Sequence, residues 1–242
     1  MNMEMNQEVG QEVGQEVGQE VGQEFGGDGG RDYRQARLVL GLRSAGVTDT
    51  RVMSAMEAIP REIFVPKAFH HHAYENVTLP IGHQQTLSQP GIVGVMTQAL
   101  DVTDRSKVLE VGTGSGYQSS VLAKLCRRVY TVERYRPLLA VAEQRFKELK
   151  LHNITTKLGD GTLGWAEQTP FERIIVTAAA LDVPPVLADQ LTEGGIMVVP
   201  IGSDPTFQTI LKVVRHDDGF ETEELRDVKF VPLIPAEVQE AV

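Results

Sequence analysis

Two periods of apolar and polar residues alternate through the second half of this chain. Val108, Leu109 and Val111 form a short apolar run of the kind that makes a parallel strand covered on both faces. From Ser119 the spacing becomes helical, with Val121, Leu122 and Leu125 apolar. The alternation repeats. Strands are predicted over 128–132, 154–158, 173–177 and 196–200, with helices over 136–149 and 185–191 and a Gly194-Gly195 turn before the last of these strands. Residues 209–215 and 221–231 read as a closing antiparallel pair around Asp217-Asp218-Gly219. Strand and helix in strict turn predict an α/β fold with a doubly wound, mostly parallel sheet, Rossmann-like, and ligands at the strands' C-terminal edge.

Upstream the pattern is helical. Leu38, Val39 and Leu42 share a face from Tyr33 onward, with Gly46 as a stop, and Asp49 leads a second helix carrying Val52, Met56 and Ile59 that ends at Pro60. These two helices are expected to form an N-terminal cap. The piece between Pro60 and Pro66 reads as extended. His70-His71-His72 follows; three consecutive side chains point in different directions and do not readily share a metal ion, so a solvated loop is expected and no metal site is assigned. Leu79 to Pro90 reads LPIGHQQTLSQP and leads into a helical run with Ile92, Val93, Met96 and Leu100. Helix capping accounts for Ser88 as N-cap and Pro90 in the first turn. It does not account for His83, Gln84, Gln85 and Thr86 crowding one short loop, whereas convergence on a ligand does.

Composition changes the picture at the N-terminus. Residues 7–25 repeat QEVG, with Phe25 replacing the last valine. A period of four drifts against the 3.6-residue turn, and a glycine in each unit costs about 1 kcal/mol against alanine, so residues 1–30 are expected to be a flexible tail and 31–242 the folded domain. The net charge of −10 is largely a property of that tail, because residues 1–30 hold seven acids and no base, leaving 26 acids against 23 bases elsewhere. So even a balance argues against a long nucleic acid as partner. Cys126 is the only cysteine, which excludes an internal disulfide. No stretch has the apolar length of a membrane span, nor is there a basic-then-apolar leader, so a cytoplasmic protein without a membrane partner is expected, with a monomer favoured.

The candidate chemistry lies in the turn between the first strand and its helix. Glu110-Val111-Gly112-Thr113-Gly114-Ser115-Gly116 has the spacing G-x-G-x-G, and Tyr117 stands where a dinucleotide fingerprint requires its third glycine. Glu110 near the strand end would repel a pyrophosphate and could pair with an ammonium group. That favours a cationic ligand, and the stretch resembles the E/D-x-G-x-G-x-G turn of class I methyltransferases that use S-adenosylmethionine (SAM). A glycine turn serving packing alone is the plainer alternative. Gly112, Thr113 and Gly114 are the turn residues assigned to the cofactor. Glu133 ends the second strand 21 residues beyond Gly112, where a carboxylate accepts ribose hydroxyls, although an acid leading a helix is also stabilised by its dipole. Asp160, in Gly159-Asp160-Gly161, could meet an adenine amino group or simply make a good turn.

Taken together, these residues resemble the protein-L-isoaspartate O-methyltransferase family over about residues 34–235. The marks are Arg61-Glu62-Ile63-Phe64-Val65-Pro66, the 79–90 loop, the 108–123 strand–turn–helix, Gly159-Asp160-Gly161, Ile174-Ile175-Val176-Thr177-Ala178-Ala179-Ala180 and Phe230-Val231-Pro232-Leu233. The loop ending in Ser88-Gln89-Pro90 is the specific one. The resemblance implies methyl transfer from SAM to the free carboxylate of isoaspartyl residues in damaged proteins, which begins repair through a succinimide. It implies Ser88 as the active-site residue, and contacts to cofactor from Gln85, Thr86, Glu133, Arg134, Asp160 and Gly161. His83, Thr86, Ser88, Lys229 and Val231 fall on the substrate side; Lys229 stands where relatives often carry arginine, so a planar fork for peptide carbonyls is lost. The rival readings are a SAM methyltransferase acting on a small molecule or nucleic acid, a SAM-binding scaffold that works through its repeated tail, and a nicotinamide oxidoreductase. Thr177-Ala178-Ala179-Ala180 lacks the Asn/Asp-Pro-Pro-aromatic motif of amino-group methylation, and Tyr117 disfavours the oxidoreductase.

Overall fold

The computed structural model describes residues 28–204 and 206–235. The QEVG repeats expected to form the tail lie outside the described residues. Two compact units are distinguished, Met1–Arg37 and Leu38–Val242. What is described of the first is the start of helix α1 (Asp28–Ser44). The helix thus begins earlier than the apolar spacing predicts. Gly29 and Gly30, expected as part of a joint, are helical, since elongating an established helix adds a hydrogen bond per residue against a glycine cost of about 1 kcal/mol.

In the second unit, Leu38 and Leu42 pack with Val47 and with Val52, Met53, Ala55 and Met56 of α2 (Thr50–Glu57). Asp49 caps α2, its side chain accepting from Arg51 N at 2.8 Å. Between Pro60 and Pro66 the chain is a 3₁₀ turn, Arg61–Phe64, and not the extended piece predicted. Phe64 is fully buried against this cluster, and a tight turn swings both Arg61 and Phe64 inward where an extended chain would expose one. The triple histidine belongs to a second 3₁₀ turn, Lys67–His72, with the His71 and His72 rings 3.9 Å apart and His72 Nδ1 2.8 Å from Glu75 Oε2.

The 79–90 loop is a β-hairpin, β1 (Leu79–Gly82) and β2 (Gln85–Leu87), turning through His83 and Gln84 at φ 50° and 57°. Helix α3 (Pro90–Ala99) follows, and then the alternating part: β3 (Lys107–Val111), α4 (Tyr117–Ala123), β4 (Arg128–Glu133), α5 (Arg136–Glu148), β5 (Ile154–Leu158), β6 (Phe171–Val176), α6 (Pro185–Ala188), β7 (Leu191–Asp204), β8 (Phe207–His216) and β9 (Gly219–Val228). The sheet runs β5-β4-β3-β6-β7-β8-β9, parallel through β7 and antiparallel at β8 and β9. This is the doubly wound, mostly parallel sheet that the alternation predicts. Successive strand residues face opposite layers: Val108, Ile175 and Val198 pack with Met96, Leu100 and Leu122, whereas Leu109, Val111, Ile174, Val176 and Val199 pack with Leu187.

The Gly194-Gly195 turn is instead a bulge inside β7. Phe171 pairs with Leu191 and Arg173 with Ile196, so the extra residues of β7 loop out between, and Gly194 takes φ +68°. Strand order reverses at β3, which has β4 on one side and β6 on the other. The crevice beyond its C-terminal end is where an α/β sheet of this kind binds ligands.

Candidate functional site

At that crevice β3 runs into the glycine turn. Gly112 N donates to Val132 O at 2.9 Å, and Thr177 at the end of β6 donates its hydroxyl to Gly112 O at 2.8 Å. A Cβ on Gly112 would lie 2.4 Å from Thr177 Oγ1, and its φ of +96° already disfavours a side chain. Gly116 caps α4 at φ +89° beneath the Phe146 ring, which a Cβ would meet at 2.8 Å. The third glycine is therefore needed one residue before the dinucleotide position. Tyr117 then turns its ring into the core, 5.2 Å from Phe64 and edge-on to it.

A cleft opens above the turn, enclosing about 960 Å³ of empty space, part of it open to solvent. Gly112, Thr113 and Gly114 form its floor, with Val111, Val132, Met96 and Gln118 around them. Glu133 and Arg134 line one side, Gly161 another, and Gln85, Thr86 and Ser88 of the hairpin a third. The C-terminal segment closes the far side: Ala179 N donates to Val231 O at 2.8 Å and Leu233 N to Ala179 O at 2.7 Å, which brings Phe230 to Ile234 across the strand ends. Of the residues expected at a cofactor, the structure brings these eight together.

Glu133 is buried, Oε2 accepting from Gly114 N at 2.8 Å and Oε1 from Tyr135 N at 2.9 Å. Each carboxylate oxygen can take a second donor, so the group holds the turn and still offers acceptors to the cleft it lines. Glycine floor, apolar flanks and a carboxylate suit a nucleoside that carries hydroxyls and positive charge. Two expected residues are placed differently. Glu110 is fully buried under α4 and takes the Ser119 hydroxyl on Oε2, leaving Oε1 without a partner; burial pushes its pKa up to about 7. It does not line the cleft. The reason is strand alternation, which turns Glu110 away from the face of Leu109 and Val111. Asp160 caps the 3₁₀ turn Gly161–Leu163, accepting Thr162 N at 2.8 Å, and it too is absent from the lining.

A second cavity adjoins the first. Thr78, Gln89, Ile92, Phe207, Arg226 and Lys229 contribute to it, while Thr86, Ser88 and Phe230 line both. Ser88 thus stands in the wall between two spaces. It is not the N-cap of α3, a position Gln89 takes without a side-chain bond, so its hydroxyl is left for the cavities. Of the residues expected on the substrate side, Thr86 and Ser88 line both spaces, Val231 the cleft and Lys229 the second cavity. His83 lines neither; exposed at the hairpin tip, it stacks on Tyr135 at 5.6 Å.

The sequence reading missed Arg61, Gln118, Tyr135 and the part played by Thr177. Arg61 is fully buried: Nε donates to Ala73 O at 2.7 Å and Nη2 to Ser88 O at 2.5 Å, and Cζ lies 4.6 Å from the Tyr117 ring centre. Burial lowers its pKa. Thr177 was legible in part, since it ends the strand beside the switch point. Chemically the site has hydroxyls, amides and one carboxylate at the cleft, an arrangement suited to holding reactants in line and poorly suited to strong base catalysis.

Comparison with known proteins adds relatives to this geometry. The sequence model of the family described as protein-L-isoaspartate(D-aspartate) O-methyltransferase (PCMT) matches residues 33–238. A protein-L-isoaspartate O-methyltransferase of Rhodospirillum centenum is 56% identical over 209 residues, which is 86% of this chain and 95% of that one. One from Paramagnetospirillum magneticum is 57% identical over 202 residues, 83% and 94% of the two chains. Among solved structures, a beta-aspartate methyltransferase (PCMT) from Plasmodium falciparum in complex with S-adenosyl-L-homocysteine aligns with a TM-score of 0.72 at 25% identity, covering 83% of this chain and 98% of that one.

Proposed function

The chain belongs to the protein-L-isoaspartate(D-aspartate) O-methyltransferase family, and from that premise we propose how its own residues carry the reaction. It is a SAM-dependent methyltransferase acting on the free α-carboxylate of isoaspartyl residues. When bound, SAM supplies a methyl group already activated on a sulfonium. Gly112, Thr113, Gly114 and Glu133 would hold it, with Gln85, Thr86, Arg134 and Gly161 around them.

The acceptor needs little activation. An aspartate-like acid has a pKa near ~3.9 and is ionised at neutral pH, so the chain need not remove a proton. Its task is alignment and exclusion of water, a contribution that can reach about 7–11 kcal/mol. Ser88 donates its hydroxyl to the acceptor carboxylate and fixes the attacking oxygen; no G-x-S-x-G elbow surrounds it, so it is not read as a covalent nucleophile. Thr86 and Phe230 flank it. Lys229 and Arg226 border the second cavity, where the substrate peptide lies on this reading. The observation that carries the assignment is the position of Ser88 in a wall shared by two cavities. One space takes the donor and the other the acceptor.

The ester then closes to a succinimide away from the protein, so the biological outcome is repair of damaged polypeptides. The activity is assigned to residues 31–242, acting as a monomer in the cytoplasm without nucleic acid or membrane. The near-balanced charge outside the tail supports the absence of a nucleic-acid partner, and no helix among the described residues is long and apolar enough to cross a membrane. The test is SAM-dependent methylation of two peptides that differ only in Asp against isoAsp. Labelling of the isoAsp peptide alone is expected; equal labelling of both, or of neither, overturns the reading.

A further inference from the structure

We propose that Arg61 is a positioning residue whose buried charge lets the site distinguish an isoaspartyl carboxylate from the neutral ester it becomes. The inference rests on the reading of Ser88 and the second cavity given above. It starts from an imbalance. Arg61 has no accessible surface, yet no carboxylate is among the groups that act on its guanidinium; they are the Tyr117 and Tyr74 rings' hydroxyls and its own burial. Neighbouring Glu62 is engaged elsewhere, by the Tyr74 hydroxyl. Nη1 and the Tyr117 hydroxyl are both buried without a well-formed hydrogen bond, and the Tyr117 hydroxyl, the nearest polar group acting on the guanidinium, is neutral. An arginine side chain does not lose its proton in a protein, so this is a cation stripped of water with no anion supplied by the described residues.

Packing does not call for such a group. An apolar side chain of similar volume would fill the space between Ala73 and Tyr117 without the desolvation penalty. Tethering explains two donors, to Ala73 O and Ser88 O, but an amide could make such bonds without a charge. What tethering leaves unexplained is a positive charge fixed to the backbone of Ser88, which with Thr86 and Phe230 borders both cavities. An acceptor carboxylate held by the Ser88 hydroxyl brings a negative charge to that residue's other side, through protein of low polarisability where Coulomb attraction declines slowly. The missing counterion is the substrate.

Methyl transfer joins a carboxylate oxygen to the methyl carbon and breaks the bond from that carbon to sulfur; the acid loses its negative charge and the sulfonium its positive one. A neighbouring cation therefore favours the bound acid over the transition state and over the product. Arg61 acts on affinity and on release of the neutral ester, and not on the chemical step.

The experiment is calorimetry in the presence of S-adenosylhomocysteine, with an isoaspartyl peptide and the same peptide bearing a carboxamide in place of its free α-carboxylate. The full chain is expected to prefer the acid by at least about tenfold. Arg61→Met is expected to lose most of that preference and raise KM for the isoaspartyl peptide by at least about tenfold, with kcat unchanged or higher and S-adenosylhomocysteine affinity within about twofold. Arg61→Gln, which keeps an amide donor for Ser88 O, is expected to behave like Arg61→Met and serves if the latter does not fold. A folded variant that keeps the preference overturns the proposal, as does one that loses both peptides and S-adenosylhomocysteine together. An unaltered protein that methylates the isoaspartyl peptide but binds acid and amide equally also overturns it while leaving the methyltransferase reading intact. If the unaltered protein methylates neither peptide and binds neither, the underlying reading falls and the proposal with it.

Discussion

At the scale of single residues, Ser88 and Gly112 bear most directly on the reaction and on the cofactor turn. Ser88 is half-buried between two cavities and offers one hydroxyl. Removing a single donor that aligns a reacting group commonly lowers turnover by about 100-fold. Ser88→Ala is therefore expected to lose roughly that factor in kcat on an isoaspartyl peptide, with S-adenosylhomocysteine affinity measured by calorimetry unchanged. Gly112→Ala places a methyl group against Thr177 Oγ1 at a φ of +96°, so it should destabilise the fold by about 1–3 kcal/mol in urea titration and weaken the cofactor. Glu110 gives a pH dependence. Its pKa of about 7 in the folded chain, against about 4.5 for an ordinary glutamate, means that between those values the folded form keeps a proton the unfolded form has released. Stability should fall as pH rises through that window, by up to about 3 kcal/mol, and level off above it. Glu110→Gln should remove this slope, seen as a Tm gain over the unaltered protein at pH 8 that shrinks as pH falls and vanishes only below about pH 4. The motif alone suggested that Glu110 meets a ligand ammonium. Its direction was legible from the period of two along β3, since Leu109 and Val111 share the face opposite to it.

At the scale of elements, most strands and helices with clean periodicity appear where the pattern places them, although the helix expected over 185–191 stops at Ala188 and Leu191 already begins β7. β5 spans Ile154–Leu158 as predicted, and α5 ends one residue short. The hairpin of β1 and β2 was not legible. Its two-residue turn uses His83 and Gln84, both with positive φ, where the pattern of Asn or Asp before Gly is the signal for such a turn. Side chains held there are strained, and strain of this sort collects at functional segments. Gln84 is exposed and lines neither cavity, so Gln84→Gly is expected to stabilise the protein by about 0.5–1 kcal/mol with peptide methylation unchanged. Urea midpoints and initial rates check both halves. The bulge in β7 was hidden for a related reason: Gly194-Gly195 has the chemistry of a turn, and only pairing with β6 decides that the strand continues through it.

For the molecule as a whole, alternation along the chain made the doubly wound sheet legible, and the reversal of strand order at β3 then locates the cleft. What closes the cleft was not legible in position. Phe230 to Ile234 reach Ala179 through pairings separated by about fifty residues, and neither composition nor local periodicity records a contact of that range. The same is true of the Arg61 link to Ser88, which spans 27 positions. The family match begins at residue 33, beyond the QEVG repeats. Deleting residues 1–27 should accordingly leave kcat/KM on an isoaspartyl peptide within about twofold, whereas a protein whose function resides in the repeats would lose it. The most direct measurement is a crystal structure of the full chain with S-adenosylhomocysteine and an isoaspartyl peptide. The expected result is the nucleoside in the cleft walled by Gly112, Gly114 and Glu133, with the peptide's free carboxylate at Ser88 from the side of the second cavity. A nucleoside bound away from the glycine turn, or a peptide whose carboxylate lies out of reach of Ser88, would contradict it.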